Sequence, residues 1–247
     1  MCNSVGKIME FPALGSTNEH SRKIAETKEA EEGTVVWTKH QTRGKGQGTS
    51  SWESEDGKNL TFSIILYPLF LEPSDQFLLS MTASVGITCF LEKYLDNLSI
   101  KWPNDIYAGS KKIAGILIEN SVMENRLIYS IIGAGLNVNQ TAFGRNIPNA
   151  VSMKQLTNRD YCLEDSLEKI SNEILKWYDL LKHGGMQEIK KHYSRKLFRL
   201  NENYPFREGN KIFGGRIKGV DDYGRLILET EDGTCRYFVE KEVEFLT

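Results

Sequence analysis

In the stretch KWPNDIYAGSKKIAG, Asp105 is followed seven positions later by Lys112. A hairpin at AGSK returns the chain and lets the Lys112 ammonium approach the Asp105 carboxylate, with Pro103 fixing a turn directly before Asn104. Two readings are open: an ion pair across a hairpin, or a cation and a base facing one substrate. A second candidate is the loop RGKGQGTSSWES. Gly44, Gly46 and Gly48 leave backbone N–H groups free to wrap an anion, Arg43 and Lys45 add positive charge, and Trp52 offers a ring able to stack on a planar ligand. A mobile surface loop is the alternative. Neither common glycine-loop machine fits: Thr49 stands where a Rossmann fingerprint needs its third glycine, and no Walker string occurs in the chain. The third candidate is GAGLNVN, small residues and then Asn137, which also reads as a strand needing close backbone approach.

These residues need elements to hold them. STNEHSRKIAE has hydroxyl caps and an acidic first turn, which predicts a helix ended by Gly33. TVVWT and NLTFSIIL read as strands flanking a loop over 39–58, and loops of about twenty residues are usually functional or disordered. Residues 76–94 are apolar around most of a helix, with Ser80, Ser84 and Thr88 spaced for close approach to a neighbour. SIKW, DIYAG, KKIAGILIEN and RLIYSIIGAGLNVN follow as strands of mixed direction. Leu167, Ile170, Ile174, Trp177, Tyr178 and Leu181 form one stripe of an amphipathic helix. A further helix over 186–200 carries five basic residues, read as a solvated face. Beyond ENYPF, the turn signals REGN, DDYG and EDGT break short strands, the texture of a small β-barrel. The expected fold is α+β: a catalytic domain over 1–200 with a mixed sheet packed against helices, and a β-barrel domain over 201–247.

Lys plus Arg number 31 against 33 Asp plus Glu, with no long like-charge block, so a nucleic-acid arm is not expected. Cys2, Cys89, Cys162 and Cys235 are far apart, which fits neither a zinc pair nor a disulfide framework and suits a reducing cytoplasm. No stretch reads as a signal peptide or a membrane span.

Taken in order, GSTN, QTRGKGQGTSSWES, KWPNDIY, KKIAGILIE and GAGLNVN resemble biotin protein ligase over nearly the whole chain. The resemblance implies an α/β catalytic domain with a small β-barrel and a two-step reaction. Biotin and MgATP give biotinyl-5'-adenylate and pyrophosphate, and a lysine of a biotin carboxyl carrier domain then takes the biotinyl group. Lys112 aligns with the family's catalytic lysine, touching biotin carboxylate and α-phosphate, and Asp105 with the carboxylate that receives the carrier lysine. Ser16, Thr17, Asn18 and Gln41, with the Gly115 backbone, fall at the ureido end of biotin; Gly44, Lys45, Gly46 and Gln47 belong to the biotin loop. Trp52 and Asn137 would serve adenine, Lys45 the nucleotide, and magnesium would neutralise phosphate, its ligands not assignable.

The chain departs from the family in its loop, commonly Gly-Arg-Gly-Arg, by carrying Lys45 and Gln47 instead of guanidiniums. The STN motif starts at Ser16, so the expectation is a monofunctional enzyme without a DNA-binding domain or specific DNA binding. The carrier's identity and homodimer formation stay open. The rivals are a lipoate-protein ligase and a non-catalytic binding module for biotin or a nucleotide.

Overall fold

A computed structural model describes residues 6–27, 29–144, 147 and 149–246. Its elements, in chain order, are β1 (Ile8–Leu14), α1 (Thr17–Thr27), β2 (Thr34–Gln41), β3 (Leu60–Leu66), α2 (Phe77–Leu91), β4 (Leu98–Lys101), β5 (Asp105–Ala108), β6 (Lys111–Met123) and β7 (Arg126–Leu136). There follow α3 (Met153–Thr157), α4 (Leu163–Lys182), α5 (Met186–Arg195), β8 (Asn203–Glu208), β9 (Lys211–Val220), β10 (Leu226–Thr230), β11 (Cys235–Phe238) and β12 (Glu244–Phe245). No helix among the described residues is long and apolar enough to cross a membrane. Cys2 lies outside the described residues; Cys89, Cys162 and Cys235 are free thiols.

The first seven strands form one mixed sheet in the order β1-β2-β3-β7-β6-β5-β4. Only β1 and β2 run parallel, and α1 is the crossover that a parallel pair requires. The two faces of this sheet differ because side chains alternate along each strand. On β3, Leu60, Phe62, Ile64 and Leu66 enter the large core beneath α2 and α4, as do Ile132, Ala134 and Leu136 on β7. The intervening positions face α1 and are small or polar near the strand ends: Thr61 and Ser63 on β3, Gly133 and Gly135 on β7. A second, minor core of Ala25, Val36, Ile65 and Ile131 fixes α1 at the other end of this face. One face therefore holds the fold together while the other leaves room for a site.

In α2 every turn is buried, and the close approach expected there comes from Gly86, where a Cβ would lie 2.7 Å from the Ile174 Cα of α4. The apolar stripe of α4 is buried throughout. Helix α5 stops at Arg195, short of the expected 200. Ile100 of β4 takes over the following segment, its N–H reaching the Lys196 carbonyl at 2.6 Å and its carbonyl accepting from the Phe198 N–H at 2.8 Å. Sheet pairing at the open edge has outcompeted one more helical turn. Its basic residues do face solvent and acids, Lys190 pairing with Asp222 at 2.6 Å.

The C-terminal strands make a five-stranded antiparallel sheet in the order β11-β10-β9-β8-β12, and Gly209, Gly224 and Gly233 supply positive φ at the three turn signals. The expected small all-β unit is present as this sheet, whose edges among the described residues are β11 and β12. The two residues of β12 pair with β8, and no pairing of β12 with β11 occurs among the described residues. This sheet shares the main core through Phe206, Ile217, Leu226, Leu228 and Phe238. It is tied to KWPND by the Trp102 indole N–H, which donates to the Gly224 carbonyl at 2.9 Å.

Gly86→Ala should lower stability. The clash with Ile174 costs about 1 to 3 kcal/mol, more than the roughly 1 kcal/mol that alanine gains in helix propensity. Urea denaturation reads the shift in midpoint; a midpoint at or above wild type would show that α2 and α4 can separate freely.

Candidate active site

The room left on the α1 face is a cavity of about 350 Å³ lined from four directions: the start of α1, the loop after β2, the KWPND hairpin with β6 and β7, and the turn after β11. At the α1 end, local sequence builds a closed hydrogen-bond network. The Thr17 N–H donates to Gln41 Oε1 at 2.9 Å, and the Ser63 hydroxyl lies 2.8 Å from Thr17 Oγ1 and 2.6 Å from Asn18 Oδ1. The Asn18 amide donates to the Leu117 carbonyl at 3.2 Å and to Glu119 at 2.8 Å. Gly133 is required here, since a Cβ would lie 2.1 Å from Asn18 Oδ1. Burial makes such a network rigid, because any lost partner leaves an unsatisfied polar atom.

The centre of the cavity depends on a register shift. Asp105 pairs with Gly115 and Ile106 with Ala114, but Tyr107 then pairs with Lys112, leaving Ile113 as the extra residue of a β-bulge. In a regular ladder Lys112 would oppose Ala108 and point away from Asp105. The bulge turns it to the same face, and its Nζ lies 2.6 Å from Asp105 Oδ1. The pair is partly exposed to the cavity, with a third of the Lys112 side chain and a quarter of Asp105 accessible. The Lys112 main chain is clamped as well, donating to the Asn149 carbonyl at 2.7 Å and accepting from the Val151 N–H at 2.9 Å.

The glycine loop is a small hairpin rather than an open strap. Lys45 bridges Ser51, the Gly46 N–H donates to the Ser50 carbonyl at 2.8 Å, and Gly48 turns the chain at φ +64°. Trp52 lies over the cross-strand glycines: a Cβ at Gly135 would sit 2.2 Å from the indole and one at Gly115 3.2 Å from it. The indole N–H is buried without a hydrogen-bond partner among the described residues. Lys112 Nζ lies 5.8 Å from the ring centroid, within cation–π range. Lys45 pairs with Glu19 at 2.6 Å, and this hydrogen bond holds the Glu19 carboxyl below its ordinary range. Gln47 is clamped between two segments, accepting from the Asn104 amide at 2.6 Å and donating to Glu240. Burial pushes the Glu240 carboxyl upward.

The structure thus brings together Ser16, Thr17, Asn18, Gln41, Lys45, Gly46, Gln47, Trp52, Asp105, Lys112 and Gly115 on one cavity. Two expected residues are not on its lining. Gly44 serves the loop itself, where a Cβ would meet the Trp52 carbonyl at 2.2 Å. Asn137 is buried, and its amide donates to the Val151 carbonyl at 3.1 Å. Sequence reasoning missed Glu240 and Lys241, which reach the cavity from the C-terminal sheet. Nothing in VEKEVEF sets these two residues apart in sequence, and the fold reveals their position. Among the described residues no group of three or more His, Cys, Asp or Glu is placed to hold a metal ion.

Comparisons with known proteins place the chain among protein ligases. The model of the biotin/lipoate A/B protein ligase family matches residues 11–137, and that of the biotin protein ligase C-terminal domain matches residues 206–246. The chain is 33% identical to the bifunctional ligase/repressor BirA of Bacillus subtilis over 239 residues, covering 94% of this chain and 72% of that one. It is 27% identical to the biotin--[acetyl-CoA-carboxylase] ligase of Paracoccus denitrificans, covering 88% of this chain and 92% of that one. Its structure is similar to the biotin protein ligase of Aquifex aeolicus in complex with biotin and ATP, with a TM-score of 0.80 and 26% identity over 97% of this chain and 98% of that one.

Gly135→Val should push the indole off the sheet while β7 stays paired, since valine suits a strand. Trp52 emission, taken as the difference from Trp52→Phe in each background, should move to longer wavelength and quench more readily with acrylamide. An unchanged Trp52 signal would show that the indole does not rest on the glycine pair.

Proposed function

Because the chain belongs to the biotin/lipoate A/B protein ligase family and carries the C-terminal domain of biotin protein ligases, we propose that it activates biotin as biotinyl-5'-adenylate and transfers the biotinyl group to a lysine of a biotin carboxyl carrier domain. The observation that carries this reading is the Lys112–Asp105 pair, 2.6 Å apart on a cavity that ends in hydroxyl and amide groups. The match to the C-terminal domain favours biotin over lipoate as the acid.

Biotin has a polar ureido ring on an apolar body, and its site needs a few fixed hydrogen-bond partners in a shaped cleft. Ser16, Thr17, Asn18 and Gln41 take the ureido end, with the Thr17–Ser63–Asn18 network setting their orientation. The carboxylate then reaches Lys112. In the first step a biotin carboxylate oxygen attacks the α-phosphorus of ATP, the bond to the bridging oxygen breaks, and pyrophosphate leaves with both bonding electrons. Lys112 offsets charge on carboxylate and phosphate as they approach, a stabilisation strongest in the transition state. In the second step the carrier lysine nitrogen attacks the carbonyl of the mixed anhydride, the C–O bond to AMP breaks, and the ammonium proton must be lost. Asp105 is placed to orient that ammonium and draw off its proton.

The indole of Trp52 offers a face for the adenine. Asn137 donates one amide N–H to the Val151 carbonyl and so anchors the segment that clamps Lys112, while its second N–H and its carbonyl oxygen stay available to the adenine edge. Magnesium enters with the nucleotide as MgATP. With Asp105 and Glu240 as the carboxylates on the cavity among the described residues, the ion would rest mainly on phosphate oxygens and water.

The reading is tested by incubating the protein with a carrier domain, MgATP and either biotin or lipoate, then locating the mass increase on a lysine. A biotin adduct is expected; lipoyl transfer alone, or no adduct, would overturn it. Lys112→Ala should reduce biotin-dependent pyrophosphate exchange by about 10²-fold or more. Its stability should change by less than about 1 kcal/mol, because the lost ion pair is partly solvated. Exchange within a few-fold of wild type would remove Lys112 from the chemistry.

A further inference from the structure

Among the described residues, three ammonium groups line the cavity, those of Lys45, Lys112 and Lys241. Two are already neutralised, Lys45 by Glu19 and Lys112 by Asp105, each at 2.6 Å. Lys241 has no carboxylate within the 4.0 Å of an ion pair among the described residues. Its neighbour Glu240 feels the Lys241 charge, which works against the upward push of burial on that carboxyl, but the Glu240 carboxylate is engaged by Gln47 and makes no close ion pair with Lys241. Among the described residues, a polyanion entering this cavity therefore meets in Lys241 a cation that it can recruit without breaking a close ion pair.

The placement of Lys241 is built rather than incidental. The turn at 239–242 is closed twice: the Glu242 N–H donates to the Val239 carbonyl at 3.2 Å, and the Glu242 carboxylate accepts from the Val239 N–H at 2.9 Å. Within it Lys241 is held at φ +70°, a left-handed conformation that favours glycine and that other residues adopt at a cost. That conformation carries the ammonium onto the glycine loop. A Cβ at Gly48 would lie 2.1 Å from Lys241 Nζ, so a side chain at position 48 would displace it. Gln47, one residue earlier, fastens the same loop to Glu240. The turn after β11 thus delivers a cation against loop backbone on the cavity wall.

We infer that Lys241 is a substrate-positioning residue that binds the polyphosphate of the nucleoside triphosphate, supplying from the C-terminal sheet the positive charge that Gln47 cannot. This rests on the adenylation reading above, because it takes the polyanion to be ATP. Lys241 belongs to nucleotide binding and not to biotin recognition, which lies at the α1 end of the cavity.

The test is steady-state biotin-dependent pyrophosphate exchange on the full chain with Lys241→Ala, Lys241→Gly and Lys241→Arg. The alanine and glycine variants should raise KM for ATP roughly 10-fold, the scale of one charge-assisted hydrogen bond. KM for biotin should be unchanged and kcat within twofold. Arginine should restore most of the ATP affinity. Lys241→Gly also relieves the backbone cost, so its thermal midpoint should equal or exceed wild type; weaker ATP binding in a protein no less stable is not what a structural role gives. Unchanged KM for ATP in both variants, or a rise that arginine does not rescue, overturns the assignment. Isothermal calorimetry with inorganic pyrophosphate and no biotin makes the two readings separable. Wild-type protein inert in exchange sinks the ligase reading, whereas equal pyrophosphate affinity in wild type and Lys241→Ala sinks the role of Lys241.

Discussion

The site depends on one extra residue in a strand. Ile113 is inserted between the paired positions of β5 and β6, and that bulge alone brings Lys112 to the face on which Asp105 and Gly115 stand. Removing it would leave both residues in the same hairpin with their side chains on opposite faces of the sheet. Ile113 itself is fully buried in the main core. The apolar core therefore holds the bulge, and the bulge holds the ion pair. The clamp from the segment at 149–151, fixed in turn by Asn137, prevents the strand from slipping back into register.

Around that pair the sheet is divided by residue size. The core face of β3, β6 and β7 carries Leu, Ile and Phe, whereas the opposite face carries Ser63, Gly115, Gly133 and Gly135 where α1 and the loop come close. Gly133 admits the Asn18 amide and the Gly115–Gly135 pair admits an indole. The absence of side chains shapes the cleft as much as their presence does. Stability is supplied by the packed face, so the other is free to be shaped for a ligand.

Much of this was legible in the sequence. The buried strands and the stripe of α4 follow from periodicity, the three C-terminal turns from glycine, and the grouping of site residues from a family resemblance. What escaped did so for physical reasons. Strand β1 gives a weak signal because it is an edge strand with Pro12 inside it and a half-exposed face. The end of α5 was lost to sheet pairing at Ile100, a tertiary effect that local propensity does not contain. The bulge was invisible, since spacing along a hairpin does not report register. Glu240 and Lys241 lie far along the chain from the loop they touch, and their charges resemble any solvated turn.

The C-terminal strands contribute Phe206, Ile217, Leu226, Leu228 and Phe238 to the same apolar cluster that contains α2 and α4, and Trp102 is fastened to the Gly224 carbonyl. No seam of solvated surface separates the two sheets along these contacts. Thermal unfolding is then a single cooperative event, because neither sheet can open without exposing the other's buried area. The C-terminal turn that faces the loop is thereby anchored, through Phe238 and Val243 on either side of it, to the same core that holds the catalytic sheet.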